Sequence, residues 1–281
     1  MKIQQLLDEG ETKDLASVST WADDVVEAGH GKGPLRNDPE ALTFNHQFPD
    51  NWKWHFTNLP LGTRSYSEAN QFATTNDVVH TIERCLRVLE SRTPSANEFG
   101  RAQAFRLLVH LVGDLHQPLH CGTGFYRLHD SEPPTLVIDP KAAFGLPNDR
   151  GGNDLFYGPK TQLHALWDVG LVEKIANSGD YHVLTGYLAK NYLAEPSAIP
   201  LGDYHHWPEM WVIESIKAAN SAYAGIQFGA AEWTLAQGPL RIAITLPAGY
   251  EETNKRVAAR QLTEAAVHLS RLLDQIKWPD R

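Results

Sequence analysis

Five side chains able to bind a metal ion fall in two short words of the chain. His110, Asp114 and His120 stand in HLVGDLHQPLH, and His164 and Asp168 stand in LHALWD. His110 and Asp114 are four residues apart, and so are His164 and Asp168. On an α-helix, such pairs lie one above the other on the same face. Each pair then offers an imidazole nitrogen and a carboxylate oxygen to a single point, a donor set that zinc accepts. Two such helices facing one another would build a metal site inside a helical protein.

Composition narrows the remaining choices. The 281 residues suffice for one large domain or two small ones, with a sizeable core. Hydrophobic residues make up 42% and charged residues 21%, as in ordinary globular proteins. A net charge of −9 argues against a protein that grips duplex DNA through a basic face. A phosphorylated substrate would need positive charge from elsewhere, and bound metal ions would supply it. Thirteen histidines stand against two cysteines, Cys85 and Cys121, so a disulfide framework and a cysteine-rich zinc site are both excluded. Any zinc must be held by His and Asp. No apolar run reaches the length of a membrane span, and MKIQQLLDEGETKDL reads as a polar amphipathic segment rather than a signal peptide. No Asn-x-Ser/Thr sequon occurs, which favours a bacterial source.

The elements that must position these residues are mostly helical. Apolar periodicity predicts helix over 1–28 with a break at Gly10, and again over 67–92 from Val78, Val79, Ile82, Leu86 and Leu89. Residues 29–60, rich in Gly, Pro, Asn and His, read as irregular loop. A cap at Ser95 or Asn97 is expected to open a long helix through Asp114, ended by Pro118. Residues 121–153 read as a Gly/Pro-rich loop with a short strand at TLVID. Helices are expected over 161–176, 180–193, 208–226 and 250–277. Between the last two, ITL reads either as a strand or as part of a buried turn. With no repeat and no interdomain linker, the expectation is one all-α domain over 1–281.

Six words carry a resemblance: STWADD at 19–24, WHFTNLP at 54–60, HLVGDLHQPLH at 110–120, GGN at 151–153, LHALWD at 163–168 and WVIES at 211–215. In that order they resemble the S1/P1 nuclease family, zinc-dependent single-strand nucleases related in fold to bacterial phospholipase C. The resemblance implies a helical bundle of that type with long irregular loops. It places one metal between Asp23, His55, His110 and Asp114, and a second on His120, His164 and Asp168. A third metal of the family uses an N-terminal Trp, a nearby His and the carboxylate matching Asp114. The W-G-x-x-G-H segment that supplies them should lie upstream of IQQLLDEG and has no counterpart here, so two zincs are expected and the third site is incomplete.

Family members hydrolyse single-stranded DNA and RNA to 5′-nucleotides and remove 3′-phosphates from mononucleotides. A metal-activated water does this in a site whose carboxylates here are Asp23 and Asp114. The resemblance further gives Phe56 as the base-stacking aromatic and Asn153 as a substrate contact. Asn58 falls where some members hold a base-binding Asp, and Val26 where fungal members carry an Arg near the phosphate. The insertion between His120 and Gly151, longer than in fungal members, is expected to form a lid or wall. The family also implies a secreted or periplasmic protein, and a monomer is expected.

Two other readings share these residues. A zinc phospholipase C would run the same chemistry on a lipid headgroup behind an apolar rim, and a non-catalytic zinc-stabilised helical protein would follow from the incomplete third site. Taken singly, His110 reads as a core histidine and Asp23 as a cap partner; the motif order makes them ligands. Trp21, Trp54 and Trp167 are expected to pack around the site, with His116 behind the ligands or at the surface. His30, His46, His80, His129, His182, His205, His206 and His268 read as surface or structural. Cys85 reads as a small buried hydrophobe, and Cys121 could pair with it in an exported chain.

Overall fold

Apolar spacing along one sixteen-residue helix sets the frame. In a computed structural model describing residues 2–9, 15–130, 132–175, 180–193, 200, 202–232 and 240–279, that helix runs Arg101–His116 and buries Phe105, Leu108, Leu111, Val112 and Leu115. In chain order the helices are α1 (Lys2–Glu9), α2 (Leu15–Ser19), α3 (Trp21–Gly29), α4 (Pro39–Gln47), α5 (Val78–Glu90), α6 (Arg101–His116), α7 (Pro118–Cys121) and α8 (Pro140–Ala143). They continue as α9 (Leu163–Ala165), α10 (Leu171–Ile175), α11 (Tyr181–Tyr192), α12 (Trp207–Tyr223) and α13 (Tyr250–Gln275). A 3₁₀ helix spans Asn51–His55, and a π-helical turn, Leu166–Gly170, joins α9 to α10.

Capping explains where these helices begin. Asp77 caps α5, its Oδ1 accepting from the His80 N–H at 3.1 Å. The expected cap of α6 at Ser95 or Asn97 is corrected to Gly100, whose N–H donates to the Gln103 side chain at 2.9 Å. The loop expected over 29–60 is corrected too, because it contains α4. Asp38 accepts there from the Ala41 N–H at 2.8 Å and Pro39 fills the first turn, a start signal outweighed by the surrounding glycines. The expected break at Gly10 and the end of the 161–176 helix at residue 176 lie outside the described residues.

The fold is mostly helical, as expected, and among the described residues it also carries three small sheets. Strands β1 (Leu59–Pro60) and β2 (Gly122–Thr123) pair in parallel. Strands β3 (Phe125–His129) and β4 (Glu132–Val137) make an antiparallel hairpin, so much of the expected 121–153 loop is ordered strand. The third sheet has the order β5 (Leu155–Phe156), β7 (Arg241–Thr245), β6 (Gln227–Glu232), which resolves the ambiguity at ITL in favour of a strand. Among the described residues no helix is long and apolar enough to cross a membrane.

Two large apolar clusters meet along α12 and α13. Trp211, Val212 and Ile216 of α12 join the cluster built on α3, α5 and α6, whereas Ala219, Ala222 and Tyr223 join the one around Trp167, Leu171 and Ile242. In α13, Leu272 belongs to the first and Tyr250, Ala258 and Ala259 to the second. Cys85 and Cys121 are buried and unpaired, so the optional disulfide is absent; the Cys121 thiol instead donates to the Leu115 carbonyl at 3.1 Å.

Candidate active site

All seven predicted ligand residues converge where the two clusters meet. Asp23 comes from α3, His55 from the end of the 3₁₀ helix, and His110 and Asp114 from successive turns of α6. His55 Nδ1 lies 2.9 Å from Asp114 Oδ2, 3.1 Å from His110 Nε2 and 3.4 Å from Asp23 Oδ1. His110 Nε2 lies 3.0 Å from Asp114 Oδ2 and 3.5 Å from Asp23 Oδ1. On the other side of Asp114, His120 Nε2 lies 3.4 Å from Asp168 Oδ1, and His164 Nε2 lies 3.2 Å from Asp168 Oδ2. The His120 and His164 rings stack at 5.0 Å with a 14° tilt.

These spacings fit a metal. Zinc bonds of about 2.0–2.1 Å in tetrahedral array put neighbouring ligand atoms about 3.3 Å apart. Asp23, His55 and His110 form one three-donor group of that size, and His120, His164 and Asp168 form another. In three of the four histidines the nitrogen turned away from the donors is fixed by a backbone carbonyl. His110 Nδ1 donates to Ser19 O at 2.5 Å, His120 Nδ1 to His55 O at 2.8 Å, and His164 Nδ1 to Gly151 O at 2.7 Å. That bond leaves Nε2 with its lone pair toward the centre, as a metal ligand requires.

Electrostatics agree. Burial alone would raise Asp114, but the His110 and His120 imidazoles hold it far below the usual carboxylate range. Burial likewise opposes the imidazolium forms, yet the carboxylates lift His110 well above its ordinary value and His120 to about 9. Asp168 is depressed by His120 and His164 against its burial, and Asp23 is lowered by His110 and His55 against the same penalty. The field that retains protons on these rings would equally retain a divalent cation, which displaces them.

Two cavities open from this centre. One of about 640 Å³ is lined by Asp23, His55, Asp114, His120, His164 and Asp168. The other, of about 390 Å³, holds all three residues expected to contact substrate, Phe56, Asn58 and Asn153, beside His120 and His164. Asn58 Oδ1 accepts from the Thr123 hydroxyl at 3.0 Å, and Asn153 Nδ2 donates to Arg150 O at 2.9 Å. Phe72 lines the same cavity and packs edge-on against Phe125 at the start of the β3–β4 hairpin and against Phe144 after α8. The insertion therefore backs the cavity as a wall.

One residue central to this arrangement was missed. Asp149 is fully buried and accepts from Tyr126 OH at 2.6 Å, Tyr223 OH at 2.9 Å, Gly152 N–H at 3.0 Å and Gly124 N–H at 3.3 Å. Burial pushes its carboxyl up to about 6, against the pull of those four donors. They lock the turn in which Gly151 and Gly152 adopt φ of 61° and 80°. A Cβ on Gly151 would stand 2.0 Å from the Leu119 carbonyl oxygen. The glycines of GGN thus set the carbonyl that orients His164, and only the aspartate two residues before them, in DRGGN, could have signalled it. His116 is buried rather than at the surface: it bonds the Val112 carbonyl at 2.7 Å and His268 at 2.7 Å, and His268 stacks on Trp211 at 4.6 Å.

A mostly helical chain that gathers four histidines and three carboxylates beside two open cavities defines a candidate metallohydrolase. Comparison with known proteins narrows the class. The S1/P1 nuclease family model matches residues 1–277, so the chain belongs to that family and is a hydrolase acting on ester bonds. It is 24% identical to endonuclease 2 of Arabidopsis thaliana over 275 residues, covering 87% of this chain and 81% of the relative. It is also 25% identical to endonuclease 5 of the same plant over 270 residues, 80% and 83% of the two chains.

Proposed function

We propose that the chain is a zinc-dependent nuclease that cleaves single-stranded DNA and RNA to 5′-nucleotides and removes 3′-phosphates from nucleotides. The observation that carries this reading is the pair of three-donor groups on either side of Asp114, opening onto a cavity that contains Phe56. Asp23, His55, His110 and Asp114 would hold one zinc, and His120, His164 and Asp168 the other. Bound zinc would lower the pKa of water and offset the charge of the phosphate in a chain of net charge −9.

The chain's own residues account for substrate choice. A base stacked on Phe56 must be unpaired to enter the cavity, which favours single strands. Asn58 and Asn153 present amides along its wall for the polar edges of that base. Asp23, with its side chain 68% exposed, faces the open side of the centre, whereas Asp114, at 13%, sits between the two groups.

Elemental analysis of the purified protein alongside turnover of single-stranded DNA, a 3′-mononucleotide and phosphatidylcholine tests the proposal. Two or more zincs per chain, with chelator-sensitive cleavage of the first two substrates, is the expected result. Zinc binding with hydrolysis of phosphatidylcholine alone would reassign the chain to lipid headgroups, and zinc without turnover would make the centre structural.

A further inference from the structure

We infer that Trp52 is the platform for a second base, so that the unit this chain engages is a dinucleotide step of a single strand rather than a lone nucleotide. The inference rests on the nuclease reading above and deepens it. A 3₁₀ helix repeats every three residues, so Asn51–His55 sorts its side chains onto distinct faces. Asn51 and Trp54 turn into the protein, each 4% exposed. Trp52 and His55 share another face, and His55 points at the other ligands from there.

Trp52 is 46% exposed, whereas Trp21, Trp54, Trp167, Trp207 and Trp211 are all at 5% or less. An indole left open forgoes a large gain from burial, and a base plane is a fitting cover for it. Its ring centre lies 6.0 Å from that of Phe56 at a 43° tilt, so the two rings do not stack on each other. Both rings line the 390 Å³ cavity, as does Phe72. That volume lies in the range of about 300–1,000 Å³ typical of small-ligand sites.

Charge supports the same occupant. Lys53 Nζ lies 5.3 Å from the Trp52 ring centre, and Lys53 and Arg150 both line this cavity. Each already has a carboxylate partner, Lys53 with Asp50 at 3.1 Å and Arg150 with Asp154 at 2.9 Å, and a phosphate linking adjacent bases would share them. The acid in the wall, Asp77, accepts from Thr57 at 2.9 Å and from Tyr66 at 2.5 Å and bonds His80 at 3.0 Å, so its charge is taken up locally. Val26, at the position where fungal members carry an arginine near the phosphate, supplies no charge; the cations of this cavity come from the 3₁₀ helix and the Asp149 turn.

The test compares a thymidine dinucleotide with thymidine 3′-monophosphate in the zinc-loaded protein, for wild type, Trp52→Ala and Trp52→Phe. KM and kcat are read for both, and the affinity for a cleavage-resistant phosphorothioate dinucleotide is read by calorimetry. Loss of one base–aromatic stack should weaken the dinucleotide about tenfold relative to the mononucleotide in Trp52→Ala, through KM and affinity rather than kcat. Trp52→Phe should restore most of that ratio. An unchanged ratio in Trp52→Ala, with wild type handling both substrates, overturns the second platform and leaves the nuclease reading intact. A wild type that neither binds nor cleaves either compound overturns both.

Discussion

Asp23, His55 and His110 reach their common point from three separate elements, whereas His164 and Asp168 come from one continuous segment and only His120 joins from outside. The first group is backed by packed aromatics. Trp21 lies edge-on to Phe44 at 5.3 Å, Trp54 lies 5.9 Å from both Phe44 and Phe99, and Arg106 lies 4.1 Å from Trp21. The second group is backed by a turn, the Asp149–Gly152 lock that aims a carbonyl at His164. Equivalent donor sets are thus held by core packing in one case and by backbone conformation in the other. Damage should reach them by different routes.

The largest expected effect breaks both at once. Asp114→Asn, between the groups, should lower turnover about a thousandfold, several kcal/mol of transition-state stabilisation, and elemental analysis should show zinc loss. Unchanged turnover would remove Asp114 from the centre. Next, Phe44→Ala should cost about 3–5 kcal/mol of stability by leaving a cavity under Trp21 and Trp54, read as a drop in Tm, and should weaken the first zinc only. Gly151→Ala should do the reverse. Its Cβ meets the Leu119 carbonyl, the His164 support shifts, and zinc affinity of the second group should fall about 10–100-fold while the first stays loaded. Ser19→Ala is the matched control, since His110 bonds a backbone carbonyl that the substitution keeps.

The smallest effects are in pH. His120 sits at about 9 in the metal-free protein against an ordinary 6.5, so its contribution to stability is full below about 6.5 and is lost as pH rises through 9. Zinc must displace that proton, and the affinity of the second group should climb over the same window, as competition titrations would show. His116 and His268 are driven down by burial to about 3 and 4, so their contribution is full above about 6.5 and is lost as pH falls toward those values. Calorimetric Tm of the metal-free protein should therefore decline from pH 6.5 to 4. His268→Phe, which keeps an aromatic against Trp211, should flatten that decline.

The metal words were legible because ligand chemistry demands particular residue types at particular spacings, and His110 with Asp114 obeys the helical rule on a regular helix. Phe56, Asn58 and Asn153 came from the family resemblance alone, and the structure brings the three to one cavity beside His120 and His164. What escaped was set by partners distant in the chain. Asp149 acts through Tyr126, Tyr223 and Gly124, far enough away that no local pattern exposes them. The β3–β4 hairpin lay hidden in a segment read from its glycines and prolines, and α4 behind a single Asp-Pro start. Trp52 looked like any other tryptophan until its exposure set it apart.

The π-turn between α9 and α10 resolves a conflict of register. Leu163, Trp167, Leu171 and Ile175 are all buried, four residues apart three times over. A regular helix turns about 100° per residue, so that row would drift by about 120° around its axis and carry its last members off the core. The wider turn at Leu166–Gly170 takes up the drift, keeping the apolar row inward while His164 and Asp168 hold the ligand face. The segment therefore carries one residue more than a plain helix would need. Deleting Val169 alone would return it to a plain helix, with the buried row at the i, i+4, i+7 and i+11 spacing of a single face and the His164–Asp168 pair kept.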